Sequence, residues 1–185
     1  MLILASQSPR RKELMHKITD DFLIVPSEID EAQFLNLPYM EAVKQIAYAK
    51  GEKIKHLYPN DVIISADTIV VLNEQIIGKP KDEEDAFNIL KRLSGKGHIV
   101  VTNYAIFYED KCHQNSVVSA VYFNKLSDDL IREYIFEKKP LDKAGAYGIQ
   151  DEGYQLVKEV IGSLNNVIGF PIEEIRDDLM DLSLI

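Results

Sequence analysis

The chain has 185 residues, 46% of them hydrophobic and 28% charged, which predicts one globular domain spanning residues 1–185 and excludes a disordered chain. With a net charge of −9, the chain is not expected to carry the broad basic surface of proteins that bind duplex nucleic acid. The single cysteine, Cys112, excludes an internal disulfide and a CxxC zinc site. No apolar run could span a bilayer and no signal-peptide pattern is present, so we expect a cytoplasmic protein that binds neither membranes nor duplex nucleic acid.

Strands and helices alternate along the chain. In the first half of the chain the predicted elements are a strand at 1–4, a helix from Pro9 to about residue 17, a strand at 21–25, a helix from Pro38 to about 57, strands at 62–65 and 68–72, and a short strand from 75. In the second half they are a helix at 82–94, strands at 98–108 and 116–124, a helix at 127–138 and a last helix from Pro171. Asn73–Glu74 is a predicted hairpin tip, and Ser8, Asp82 and Ser127 are predicted helix caps. Because hairpins are mixed with helical crossovers, the fold class is α/β with a mixed sheet.

The first helix carries an unusual charge at its start. Arg10 and Arg11 occupy its second and third positions, where acidic residues would suit the positive end of the helix dipole. Two guanidinium groups beside free backbone N–H groups, with the hydroxyls of Ser6 and Ser8, favour a phosphate site. The alternative is a solvated basic turn.

Two further charges fall where apolar residues are expected. Lys50 lies on the inward stripe of the long helix, which we place at Met40, Val43, Ala47, Ile54 and Leu57; it either snorkels past the core or reaches an anion beneath the helix. Asp67 interrupts a strand-like run, where a carboxylate is costly to bury unless it is hydrogen-bonded, metal-bound or at a cleft; the alternative is a turn between two short strands.

Together the unusual charges suit chemistry on phosphates. Arg10, Arg11, Lys50 and Lys79 supply cations, and Glu31 and Asp67 supply carboxylates for Mg²⁺ or Mn²⁺. Taken singly, Glu31 could belong to a solvated loop and Lys79 to a turn between Gly78 and Pro80. No Walker A or GxGxxG motif is present, which disfavours a P-loop or a Rossmann site.

Several motifs resemble, in order, those of the Maf family of nucleoside triphosphate pyrophosphatases. They are LASQSPRRKEL at 4–14, SEIDE at 27–31, AYAK at 47–50, SADT at 65–68, GKP at 78–80, LSGKGH at 93–98, AGAYGIQ at 144–150, IGS at 161–163 and VIGFP at 167–171. Each motif alone is unspecific, but the ordered set covers nearly the whole chain. Phe170 departs from the leucine usual before the proline, which we attribute to packing.

The resemblance implies a twisted mixed sheet with flanking helices, similar to the inosine-triphosphate pyrophosphatase group, with two lobes around a deep cleft. It implies metal-dependent hydrolysis of a nucleoside triphosphate to the monophosphate and pyrophosphate, with Mg²⁺ or Mn²⁺ as cofactor. Residues matching the family's site are Asp67 as proton acceptor, Glu31 with Asp67 at the metal, and Ser8, Arg11, Lys50 and Lys79 at the triphosphate. A homodimer is expected from the family alone.

Three positions resemble the branch of the family that acts on dTTP and UTP. They are Arg10, Thr68 and Gln150, and the branch that acts on 7-methyl-GTP typically differs at all three. The carboxamide of Gln150 offers one donor and one acceptor, which matches the N3–H and the carbonyls of uracil or thymine. The alternatives are a 7-methyl-GTP pyrophosphatase and a nucleotide-binding regulator of septum formation without essential catalysis.

Overall fold

The computed structural model of the chain describes residues 1–34 and 36–185. Within them the helices are α1 (Pro9–Met15), α2 (Tyr39–Leu57), α3 (Glu83–Leu93), α4 (Asp128–Lys138), α5 (Leu164–Ile168) and α6 (Ile172–Asp181). The strands are β1 (Leu2–Leu4), β2 (Leu23–Ile24), β3 (Val62–Leu72), β4 (Gln75–Ile77), β5 (Gly97–Tyr108), β6 (Lys111–Phe123) and β7 (Val157–Ile161). None of the described helices is both long enough and apolar enough to cross a membrane.

The seven described strands form one mixed sheet in the order β2-β1-β3-β5-β6-β7, with β4 paired to the far end of β3. The β2, β1 and β3 strands are mutually parallel, and the remaining pairs are antiparallel. The predicted α/β class with a mixed sheet is confirmed. The predicted caps are also confirmed, because Ser8, Asp82 and Ser127 each accept a hydrogen bond from the backbone N–H three residues on.

The β3 strand has one closed edge and one interrupted edge. On one side it pairs with β5 from Ile63 to Val71. On the other side β1 pairs with residues 62–64 and β4 with residues 70–72. Residues 65–69 therefore have no strand partner on that side within the described chain. This gap in the sheet contains Asp67.

Two hydrophobic cores lie on one face of the sheet, on either side of the gap. Alternate β3 residues Ile64 and Ala66 pack with α1 and α6, whereas Val70 and Leu72 pack with α3 and α4. These two cores form the two predicted lobes. The opposite face of the sheet is covered by α2, which buries its apolar side on Ile63, Ile69 and neighbouring residues.

The α2 helix approaches β3 very closely at Gly51. A Cβ atom there would overlap the ring of Phe107 and lie 2.5 Å from Oγ of Ser65. The Ser65 hydroxyl donates to the carbonyl of Ala47 at 2.7 Å, which ties strand and helix together. The preceding residue, Lys50, is thereby brought down onto the strand.

Several predictions of detail are wrong. The two strands predicted at 62–65 and 68–72 are one continuous eleven-residue strand that includes Asp67. The long pairing with β5 also excludes the alternative of a turn at this residue. Met40 and Leu57 do not face the core: they lie at the two ends of α2 and are 39% and 65% exposed. The β6 strand begins at Lys111 rather than 116, since it pairs with β5 from the hairpin onwards.

Two elements have no counterpart among the predictions, β7 and the short helix α5. β7 lies at the edge of the sheet, where Lys158 and Glu159 are exposed and the apolar pattern is weak. α5 spans only five residues after its cap, Ser163. Conversely, the predicted strand over 21–25 is reduced to Leu23–Ile24.

The close approach at Gly51 predicts that Gly51→Ala destabilises the protein, although alanine favours a helix by about 1 kcal/mol. Overpacking a core site costs about 1–3 kcal/mol, so we expect the free energy of unfolding in urea to fall by up to about 2 kcal/mol. Gly78→Ala is the control, because the added carbon meets nothing within 4 Å. An unchanged or raised stability of Gly51→Ala would contradict the described packing.

Candidate active site

A cavity of about 820 Å³ opens at the gap in the sheet. Its walls are residues 5–11 after β1, residues 67–70 of β3, residues 76–79 after the hairpin and the loop 142–150. Every side chain predicted for the site lines it: Ser8, Arg10, Arg11, Glu31, Lys50, Asp67, Thr68, Lys79 and Gln150. A cavity of this size lies in the usual range for small-molecule sites.

The ammonium of Lys50 lies between two carboxylates. Its Nζ is 2.8 Å from Oδ1 of Asp67 and 2.7 Å from Oε1 of Glu31. The acidic loop is held in place by Ser27, whose hydroxyl donates to the carbonyl of Lys50 at 2.7 Å. Lys50 therefore reaches an anion beneath α2, and the snorkelling alternative is excluded.

Asp67 is a buried carboxylate, 7% exposed. Burial raises the pKa of Asp67, and the positive charges of Lys50 and Arg11 lower it by less than burial raises it. The group is thus more basic than an ordinary aspartate. A buried, charge-coupled carboxylate in a cleft is typical of a functional site rather than of a packing role.

Arg11 is anchored on backbone carbonyls. Its Nε donates to the carbonyl of Gly169 at 2.8 Å and its Nη1 to that of Ala66 at 2.8 Å. Its Nη2 donates to the hydroxyl of Thr68 at 3.1 Å, and that hydroxyl lies 2.9 Å from the hydroxyl of Thr102. Arg11 is therefore held tightly against β3, which excludes the solvated-turn alternative for this residue. Three of its five N–H groups are engaged, which leaves two for a ligand.

Ser8 and Lys79 both line the cavity. Ser8 Oγ accepts from the backbone N–H of Arg11 at 3.4 Å, so the proton of its hydroxyl is left to donate. Lys79 is exposed and follows the hairpin strand β4; within the described residues it forms no ion pair. Their roles at a triphosphate stay predictions.

Two residues that line the cavity, Asp142 and Lys143, were not predicted from the sequence. Asp142 accepts from Arg10 Nη1 at 3.2 Å and from Lys143 Nζ at 2.9 Å, so a carboxylate links α1 to the loop after α4. The only signal in the sequence is their place in the irregular stretch that also carries Gln150. Gln150 itself lines the cavity on an exposed turn.

Tyr147 closes one wall from beneath. Its hydroxyl lies 2.7 Å from Nε2 of His98, and its ring packs edge-on against His98 and Phe123. His98 is 4% exposed, and its Nδ1 has no hydrogen-bond partner among the described residues. Burial lowers the pKa of His98 to about 4, so the ring is neutral at physiological pH. Most of the Tyr147 ring is thus buried in packing contacts, which favours a packing role for this residue over stacking on a base.

The carboxylates Glu31 and Asp67 fit a divalent cation. Both carboxylates contact the ammonium of Lys50, so one oxygen of each lies near the same point. Asp67 Oδ2 has no hydrogen-bond partner among residues 1–34 and 36–185. No described group of three or more His, Cys, Asp or Glu side chains converges on an ion, but Mg²⁺ is commonly held by one or two carboxylates and the substrate's phosphates.

A family model described as Maf-like protein matches residues 1–182. A protein of Clostridium botulinum (strain Eklund 17B / Type B) named dTTP/UTP pyrophosphatase is 46% identical over 179 residues, which cover 95% of each chain. A protein of Thermosipho africanus with the same name is 44% identical over 184 residues, covering 100% of this chain and 94% of the relative.

Solved structures extend the likeness at the level of fold. The Staphylococcus aureus Ham1 protein matches with a TM-score of 0.58 and 13% identity, covering 98% of each chain. A HAM1 protein from Coxiella burnetii matches with a TM-score of 0.50 and 12% identity. These matches confirm the predicted fold and carry no more than that.

Because His98 is buried as a neutral imidazole, we expect the free energy of unfolding to fall in acid. Because the folded pKa is below the unfolded value, the contribution is present above about pH 6.5 and is lost as the pH falls towards 4. A shift of this size corresponds to about 3 kcal/mol. We expect urea unfolding of wild type and His98→Gln, measured from pH 7 to pH 4, to show that the variant lacks this loss.

The exposed His56 provides the control, since His56→Gln should retain the full acid-induced loss. An identical pH dependence of stability in wild type and His98→Gln would contradict the burial of a neutral imidazole.

Proposed function

Because the chain belongs to the Maf-like protein family, we propose that it hydrolyses dTTP and UTP, and modified pyrimidine triphosphates, to the monophosphate and pyrophosphate. The observation that carries the proposal is the buried Asp67 carboxylate in a cavity lined by cations. The names of its relatives support the same reaction. Water attacks the α-phosphorus, the bond from that phosphorus to the bridging oxygen breaks, and pyrophosphate leaves.

Asp67 is proposed to take the proton from the attacking water. Its raised pKa makes it a stronger base than an ordinary aspartate, while the positive charges of Lys50 and Arg11 favour the ionised form that accepts the proton. Lys50 Nζ, which contacts Oδ1, also fixes the direction of the carboxylate. The other oxygen is left to receive the proton.

The cations of the cavity are proposed to neutralise the triphosphate. Lys79 lies on the wall after β4, and Arg11 has two free N–H groups beside the gap. The Ser8 hydroxyl donates a further hydrogen bond from the α1 cap. Charge on a leaving pyrophosphate is stabilised best by such fixed groups, because they need no reorganisation during the reaction.

A divalent cation, Mg²⁺ or Mn²⁺, is proposed to be held by Glu31 and Asp67. When bound, it neutralises phosphate oxygens and polarises the phosphoryl group. Lys50 Nζ holds one oxygen of each of these carboxylates, so the two groups stay oriented towards the same point. This chain's own contribution is thus a pair of carboxylates already converged by an ammonium.

Selectivity for pyrimidines is proposed to lie at Gln150, Thr68 and Arg10. Gln150 can pair its amide N–H with a base carbonyl and its oxygen with the base N3–H. Thr68 is fixed by Arg11 and Thr102 at the rim of the gap, so its methyl and hydroxyl define a rigid wall. Arg10 donates to Asp142, which lies in the same cavity-lining loop as Gln150.

Asp67→Asn should abolish pyrophosphate release from dTTP and UTP in the presence of Mg²⁺ or Mn²⁺. Loss of a general base lowers kcat by about 10²–10⁴-fold. Asp110→Asn in the exposed β5–β6 turn is the control.

Three results would separate the alternatives in that assay. Full activity of Asp67→Asn would remove Asp67 from the mechanism. Turnover of 7-methyl-GTP in place of dTTP and UTP would keep the reaction and overturn the assignment of the branch. No turnover of any nucleoside triphosphate would favour the nucleotide-binding regulator.

Gln150→Glu should lose the preference for pyrimidines, because glutamate retains acceptors but lacks the amide donor. We expect kcat/KM for UTP to fall by about tenfold or more, the usual effect of an unmatched polar contact. The ratio of UTP to 7-methyl-GTP turnover measures it. Gln155→Glu, on an exposed loop outside the cavity, is the control, and unchanged selectivity of Gln150→Glu would refute the two-point match.

A further inference from the structure

Three charged side chains that line the cavity, Arg10, Asp142 and Lys143, link α1 to the loop after α4. Arg10 projects from α1, and Lys143 from the loop after α4. They meet on opposite oxygens of Asp142, at 3.2 Å to Oδ2 and 2.9 Å to Oδ1. The side chains of Lys143 and Arg10 are 16% and 27% exposed, whereas that of Asp142 is 64% exposed. The cations thus belong to the cavity wall and the carboxylate faces solvent.

The stem of Lys143 is fixed by packing. Its Cε lies 3.1 Å from the position a Cβ would take on Gly148. Gly148 is anchored in turn, because its N–H donates to the hydroxyl of Tyr134 at 3.0 Å and that hydroxyl donates to Asp151 at 2.6 Å. A larger residue at 148 would push the lysine away. The loop therefore presents the ammonium at a defined place on the wall.

The bond to Asp142 is weak enough to exchange. Ion pairs with an exposed partner contribute at most about 1 kcal/mol. Burial tends to raise the pKa of Asp142, but the hydrogen bond and charge of Lys143, with Arg10, lower it overall, so the carboxylate is ionised at neutral pH. Asp142 is thus an anion that a polyanionic ligand can replace without leaving Lys143 unpaired.

We propose that Lys143 is a further substrate-binding residue that contacts phosphate oxygens of the nucleotide, and that Asp142 is its displaceable counter-ion. Asp142 holds Lys143 at the cavity wall until the more highly charged triphosphate takes its place. The inference rests on the proposed function, since it names a contact to the same substrate. With Lys143, the described residues that line the cavity include five cationic side chains: Arg10, Arg11, Lys50, Lys79 and Lys143.

The test is the Kd of α,β-imido-dUTP with Mg²⁺, measured by calorimetry on the full chain. Lys143→Met should weaken binding by about tenfold, the effect of one charged hydrogen bond, and Lys143→Arg should restore most of it. Asp142→Asn should tighten binding severalfold, because Lys143 loses its competing counter-ion. Lys158→Met, which removes an exposed charge from β7 outside the cavity, should bind as wild type does.

Kinetics with dTTP add a readout that a merely structural role would not give. Lys143→Met should raise KM by about tenfold with kcat within about threefold, and the salt dependence of its binding should be shallower than that of wild type. Thermal unfolding of all variants checks that they fold. Asp142→Asn keeps the proposal testable even where Lys143→Met is unstable.

The outcomes separate the two proposals. Equal binding by wild type and Lys143→Met, or weaker binding by Asp142→Asn, overturns the role of Lys143 and Asp142 while leaving the pyrophosphatase function intact. Failure of the wild-type protein to bind any nucleoside triphosphate overturns the proposed function and this inference together.

Discussion

The site depends on the interrupted edge of β3. If β1 and β4 were continuous along that edge, the carboxylate of Asp67 would be sealed between the sheet and α2. Instead, the strand pairs at residues 62–64 and 70–72 and leaves the middle open. The carbonyl of Ala66, exposed by the gap, is taken by Arg11. Full pairing with β5 on the other edge keeps the open segment rigid, so a charged side chain can be held at a fixed place near solvent.

A buried carboxylate is costly, and the surroundings of Asp67 are organised around that cost. Lys50 contacts it directly and Arg11 acts on it through space, yet burial still dominates and raises its pKa. The same cations suit a triphosphate, so the groups that stabilise the Asp67 carboxylate are also groups proposed to bind the substrate. Within an acidic chain of net charge −9, positive charge is thus concentrated in one cavity, where it can attract a polyanion.

Local features were predictable and long-range ones were not. Helix caps are visible in the sequence because a cap residue and the N–H it accepts from lie within three residues of each other. The charge of Asp67 is visible because the residues on either side of it are apolar or small. Whether β3 continues through Asp67 depends on pairing with β5, thirty and more residues away. Leu57 and Met40 follow helical spacing but lie where α2 extends past the sheet, so periodicity alone misplaced them. Lys143 acquires its place only through contacts with distant parts of the chain, which no local pattern records.

The central claim is that water attacks the α-phosphorus of a nucleoside triphosphate in this cavity. Hydrolysis of dTTP in ¹⁸O-labelled water, followed by mass spectrometry of both products, tests it most directly. Attack at the α-phosphorus places the label in the nucleoside monophosphate and none in pyrophosphate. Label in pyrophosphate, or release of labelled orthophosphate with dTDP, would place the attack at another phosphorus and contradict the account.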